Sequence, residues 1–309
     1  MNIKFFIIGI FAGLFVVLSS VCCFAEENIK SVYSDVAYAS LSKSQVCNIY
    51  LPKPDEKLFP VIILVHGGGF AMGSQNDPII QPVIKKALEK GYAVFSVDYR
   101  KSSEAVFIGA LADVKAAVRF IKANAGKYNL DSENLTIWGE SAGAYLSVMT
   151  ALTPEVNFLN GEVNDNINYS SSVKNLVSFY APVEFFTMDS EFVELGLSDC
   201  ANHNDEKSFE SRYLGQALNT DKEKTYATYW ATYSDDVKKA AKFLRNIWIQ
   251  AGSNDKNVPY TQSKNLSEKL PKILDDTKIH YELIDGAGHM DTAFYTDKNL
   301  NAVFDFIEQ

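Results

Sequence analysis

The sequence predicts an open, mostly parallel α/β sheet with helices on both faces. Three observations carry that expectation. Continuous apolar runs such as Val61-Ile62-Ile63-Leu64-Val65 have the length of strands buried on both faces. They alternate with longer stretches of helical periodicity, the pattern of repeated βα units. Four of the runs end in unusual sequence: His66–Phe70, Gly139–Gly143, Asn254-Asp255 and Gly286–His289. In sheets of this class the carboxyl ends of the strands are where ligands bind and chemistry is done. With 309 residues, 47% of them hydrophobic, the chain is long enough for one large core and requires no second domain.

The elements follow in order. Residues 31–39 and 45–51 read as two strands joined by a polar turn at Ser42-Lys43-Ser44. Pro52, Pro54 and Pro60 interrupt the chain before the buried strand 61–65. Residues 78–90 read as a helix, with Pro78 early and Gly91 just past its end. The next strand is 92–97. Apolar positions at Ala105, Ile108, Leu111, Ala112, Val114, Val118 and Ile121 then predict a long amphipathic helix over 105–125. Strand 135–139, a sharp turn at Ser141 and helix 141–152 come next, followed by a polar, Asn-rich excursion over 153–172 and strand 176–180. Residues 183–245 are longer than a simple crossover and rich in aromatics. They form either an insertion over the top of the sheet or a decorated crossover at its far edge. Strand 247–250, helix 259–270, strand 278–284 and helix 294–308 complete the alternation.

The first 25 residues stand apart from the fold. Lys4 precedes an apolar core from Phe5 to Leu18, and small residues lead to Ala25, the arrangement of a secretory signal peptide cut after Ala25. This places the protein outside the cytoplasm, secreted or periplasmic. The alternative is an uncleaved membrane anchor, although the apolar core is short for a span. Val21 stands where a lipoprotein signal needs a small residue before Cys22. Cys47 and Cys200 then remain, which permits one disulfide without requiring it. A net charge of −9 with no basic cluster argues against nucleic acid as a partner. Four histidines with no H-x-x-x-H or H-x-x-E-H spacing give no support to a metal enzyme.

Gly139-Glu140-Ser141-Ala142-Gly143 is a G-x-S-x-G motif between a strand and a helix. Such a motif arises by chance in roughly one in ten chains of this length, so its partners decide its meaning. A serine hydroxyl needs a base to take its proton. His289 fits, because its Gly-Ala-Gly-His turn lets a loop reach the centre of the sheet. Asp255, just after the preceding strand, fits as the group that orients the imidazole. Asp285 and Asp291 flank His289 and are the rivals for that role. His280 falls inside a strand and is structural, His203 is expected at the surface, and His66 is expected to support the neighbouring glycines. Gly67-Gly68-Gly69 follows a buried strand. Chance gives H-G-G-G in fewer than about one such chain in a hundred, which favours a purpose for it. Backbone N–H groups of Gly68 and Gly69, with that of Ala142, make an oxyanion hole, and Gly67 shapes the turn.

These pieces, with Asp98-Tyr99-Arg100 and Asp113–Ala117, make the chain resemble the α/β-hydrolase superfamily from about residue 45 to the C-terminus. Within it the chain resembles the carboxylesterases related to hormone-sensitive lipase and the bacterial feruloyl-type esterases. The resemblance implies an eight-stranded sheet whose first pairing is antiparallel, a Ser141–His289–Asp255 triad acting on a small-molecule ester, no cofactor, and a structural role for Asp113. Ala144 and Tyr145 stand where many relatives have glycine and histidine, so Tyr145 either narrows the pocket or packs on the helix. Similar motifs occur in arylformamidases and prolyl-oligopeptidase-type peptidases, which cleave amides. A catalytically silent binding protein on the same scaffold is the third alternative. A short-acyl preference is the expectation for the esterase.

Overall fold

The computed structural model describes residues 29–54 and 57–309; the signal-peptide segment expected at 1–25 lies outside the described residues. Eight strands, β1 (Tyr33–Ala37), β2 (Val46–Tyr50), β3 (Phe59–Val65), β4 (Ala93–Val97), β5 (Leu130–Glu140), β6 (Asn175–Phe179), β7 (Asn246–Gly252) and β8 (Lys278–Ile284), form one sheet. Their order is β1-β2-β4-β3-β5-β6-β7-β8. From β4 through β8 every pairing is parallel. β2 runs antiparallel to both β1 and β4, so the expected antiparallel first pairing is present and a second follows it.

Register sets where the strands end. Val65 of β3 pairs with Gly139 of β5, and Glu140 pairs with Phe179 of β6. The His66 loop and the serine turn therefore leave the sheet side by side. Gly252 of β7 pairs with Ile284 of β8, which brings the Asp255 and His289 loops out together. The central strands are buried along nearly their whole length, as continuous apolar runs require.

Helices cover both faces. On one face α1 (Gln81–Glu89) and the C-terminal helix (Asp297–Ile307) bury Val83, Ile84, Leu300, Val303 and Phe304 over Trp138 and Trp248. On the other lie α2 (Gly109–Ala123), the single turn α3 (Ala125–Tyr128) and α4 (Ala142–Leu152). Every residue of α4 is buried, so this helix is apolar all round and lies under further structure.

One helix departs from the sequence expectation, and two other segments are settled by the fold. The long helix begins at Gly109 instead of 105. The apolar residues before it serve a loop whose Phe107 N–H donates to the Tyr213 carbonyl at 2.6 Å. The excursion at 153–172 is pinned by two buried basic side chains on α2. Lys115 Nζ donates to the Thr153 carbonyl. Arg119 donates to the carbonyls of Asp165 (3.1 Å) and Val163 (2.7 Å) and to Asn160 Oδ1 (3.0 Å). Cys47 and Cys200 are both free, so the permitted disulfide is not formed.

The β6–β7 connection carries four short helices, α5 (Met188–Glu194), α6 (Phe209–Leu214), α7 (Lys222–Tyr226) and α8 (Ser234–Ala240). The helices after β7 are α9 (Thr261–Lys269) and α10, the C-terminal helix already described. The connection's aromatics clamp it to the core. Tyr213 stacks on Phe70 with ring centroids 4.1 Å apart, and Phe185 lies 4.7 Å from Tyr145. Tyr145 is buried and its hydroxyl donates to the Thr228 carbonyl at 2.9 Å. Of its two expected roles it therefore packs, tying α4 to the connection. Among the described residues no helix is long and apolar enough to cross a membrane.

Candidate active site

Ser141 sits at the start of α4 with φ 52° and ψ −122°, a conformation that costs energy in an L residue. Its N–H donates to the Phe179 carbonyl at 3.0 Å, which fixes the turn against β6. The flanking glycines are steric necessities. A Cβ on Gly143 would stand 2.1 Å from the Val65 carbonyl oxygen, and one on Gly139 would stand 2.3 Å from that of Gly143. Both collisions are with backbone, which cannot swing aside.

Ser141 Oγ lies 2.9 Å from His289 Nε2. His289 Nδ1 lies 2.7 Å from Asp255 Oδ2. Asp255 is buried, and its Oδ1 accepts from the N–H groups of Asn257 (2.8 Å) and Val258 (3.0 Å). The two rival carboxylates are engaged elsewhere. Asp285 accepts from Ser253 Oγ, and Asp291 caps the following turn through the Ala293 N–H. The structure thus brings Ser141, His289 and Asp255 into one hydrogen-bonded line, with the Tyr180 and His289 rings packed edge to face, centroids 4.7 Å apart.

Gly68, Gly69 and Ala142 line the same cavity as Ser141 and His289, a cleft of about 680 Å³. The glycine loop is braced from below. Its Gly68 carbonyl accepts from the N–H groups of Ala71 and Met72. His66 is buried, its Nδ1 2.6 Å from the Gly67 carbonyl and its Nε2 3.0 Å from Asp98. It stacks on Tyr99, whose hydroxyl donates to the His66 carbonyl at 2.9 Å. Burial lowers the His66 pKa, as suits a neutral supporting ring. Asp113 receives Arg100 through the backbone N–H and a two-pronged guanidinium contact, and neither residue lines the cleft. His280 stacks on Trp248 at 4.0 Å.

The outer wall of the cleft comes from the β6–β7 connection, including Asn202, His203, Ser208, Phe209 and Arg212. The Phe209 ring lies flush on Gly69, so close that a Cβ there would be 2.5 Å from it. His203 was expected at the surface and is instead buried, 7% exposed, with both ring nitrogens hydrogen-bonded. No spacing in the sequence pairs it with its partner Asp189, so only the folded connection reveals it. Glu140, inside the serine motif, is also buried, with one carboxyl oxygen lacking a hydrogen-bond partner. Burial pushes its pKa up to about 8. Among the described residues no group of three or more His, Cys, Asp or Glu could hold a metal ion.

Sheet, serine turn and strand-end loops together define an α/β-hydrolase. Residues 47–270 match the model of the BD-FAE family, and the chain belongs to that family. Among solved structures it is similar to one described as a truncated form of carbohydrate esterase from gut microbiota. That likeness has a TM-score of 0.71 and 26% identity, covering 92% of this chain and 97% of that one. It is also similar to a bifunctional GH43-CE protein of Bacteroides eggerthii, with a TM-score of 0.74 and 26% identity, covering 89% of this chain and 35% of that one. Gut esterase 1 of Caenorhabditis briggsae is 33% identical over 134 residues, which cover 40% of this chain and 24% of that protein. The chain thus spans about a quarter of the length of that curated relative.

Proposed function

We propose that this protein is a serine carboxylesterase that works through an acyl-enzyme. The observation that carries the proposal is the line Ser141 Oγ–His289 Nε2 at 2.9 Å and His289 Nδ1–Asp255 Oδ2 at 2.7 Å, opening into the cleft beside Gly68, Gly69 and Ala142. His289 takes the serine proton as Oγ attacks the ester carbonyl, and Asp255 holds the imidazole and offsets its positive charge. Backbone N–H groups of Gly68, Gly69 and Ala142 receive the oxyanion. Collapse of the tetrahedral intermediate passes the proton from His289 to the leaving alcohol. Water, activated by the same imidazole, then releases the acid.

Two features support a substrate class. Phe70, which follows Gly69 and lines the cleft, is held by stacking on Tyr213 and by edge contact with Tyr145, and this rigid aromatic wall favours a short acyl group. Asn202, Asp205, Lys207, Ser208 and Lys256 give the outer cleft a hydrogen-bonding wall, which suits a polyhydroxylated alcohol. Two similar structures are described as carbohydrate esterase or CE proteins, which agrees with an alcohol half that is a carbohydrate. In this proposal the 183–245 segment acts as a cap over the site, and export follows from the signal-like residues 1–25.

The test is hydrolysis of p-nitrophenyl acetate, butyrate and octanoate and of methyl ferulate by the wild type and Ser141→Ala. Acetate is expected to turn over fastest among the p-nitrophenyl esters, and the variant to lose at least about a thousandfold in kcat. A wild type inert towards every ester would overturn the proposal.

A further inference from the structure

A hydrogen-bond route lies behind the proposed triad and is not used in the scheme above. The peptide unit between Asn257 and Val258 faces two ways. Its N–H, on Val258, donates to Asp255 Oδ1 at 3.0 Å. Its carbonyl, on Asn257, lies 3.0 Å from His203 Nε2. His203 is held in turn by Asp189 on α5. Asp189 Oδ1 lies 2.9 Å from His203 Nδ1 and accepts the His203 backbone N–H at 2.7 Å. Asp189 Oδ2 accepts from the Asn204 N–H (2.9 Å) and Nδ2 (2.7 Å). The imidazole also stacks on Phe192, with ring centroids 5.6 Å apart. The Asn257 carbonyl can only accept, so Nε2 carries the hydrogen of that contact. Such a ring polarises the Asn257 carbonyl, and the same peptide's N–H then donates more strongly to Asp255.

We infer that His203, oriented by Asp189, is a positioning residue for ester hydrolysis. It clamps the 254–258 turn from behind and fixes Asp255 against His289. The β6–β7 connection thereby supports the triad as well as walling the cleft. The inference rests on the serine-esterase proposal. It assigns a role to a His–Asp pair that the chemistry at Ser141 does not itself need.

The test compares His203→Asn, His203→Gln and Asp189→Asn with wild type and Ser141→Ala on p-nitrophenyl acetate. The glutamine amide reaches the place of Nε2 and can still donate to the Asn257 carbonyl; the asparagine amide cannot. His203→Asn is expected to lose about tenfold to a hundredfold in kcat with KM within about twofold, while His203→Gln recovers to within about threefold of wild type. The downfield proton NMR resonance of the His289–Asp255 hydrogen bond should persist in the glutamine variant and broaden in the asparagine one. If His203→Asn does not fold, Asp189→Asn decides: a fall in kcat at constant KM supports the inference. Equal kcat in all three variants and wild type overturns it, as does a raised KM at unchanged kcat, which makes His203 a substrate contact. A wild type no more active than Ser141→Ala would instead sink the esterase proposal itself, and the NMR comparison would still report on the clamp.

Discussion

Glu140 shows how closely one residue can tie stability to pH. It stands between Gly139 and Ser141, with one carboxyl oxygen unpartnered and Tyr295 as a hydrogen-bond partner for the group. Burial raises its pKa from 4.5 to about 8, so the folded protein keeps a proton that the unfolded chain gives up across that interval. The sign follows: this carboxyl erodes stability as pH rises from about 4.5 towards about 8. Glu140→Gln removes the slope. Relative to wild type it should match at pH 4 and gain about 1–3 kcal/mol at pH 8 in urea unfolding. An unchanged difference across that range would mean the carboxyl is not held neutral. Other residues were plainer in the sequence. Ser141 and His289 announce themselves by glycine-rich turns at strand ends, Asp255 stands out from Asp285 and Asp291 by its place just after a strand, and the fold brings the three within hydrogen-bonding distance. His203 did not, because nothing in the spacing of Asp189, Phe192 and Asn257 shows that they meet around one ring.

Among the elements, α2 was legible as a helix and illegible in its start. Its apolar period runs back through Ala105 to Ile108, yet those residues join a loop that packs on the β6–β7 connection. Periodicity records that residues are buried and says nothing of which partner buries them. The same helix hides two basic side chains that the amphipathic pattern would put in solvent. Lys115 and Arg119 reach under the 153–172 excursion and satisfy its carbonyls, giving a segment with few apolar residues a fixed path. Arg119→Ala strands the carbonyls of Val163 and Asp165 and the side chain of Asn160. It should cost about 2–4 kcal/mol by urea unfolding, because several buried acceptors lose their donor at once. A loss below about 0.5 kcal/mol would show that water replaces the guanidinium without penalty.

Across the whole molecule, the parallel sheet makes distant sequence meet. Residues 66–70, 139–143, 252–255 and 286–289 converge because each follows a strand that ends at the same edge. That convergence was readable from the strand runs alone, since a buried parallel strand leaves a continuous apolar signature. The β6–β7 connection was not, because its four short helices take their order from aromatic contacts with Phe70 and Tyr145 that no local pattern encodes. The most direct measurement of the central claim is labelling with a fluorophosphonate, followed by intact mass and peptide mapping. One adduct on Ser141 is predicted, absent in Ser141→Ala and slowed by at least about a hundredfold in His289→Ala. No adduct, or one on another residue, would contradict the assignment of Ser141 as the activated nucleophile.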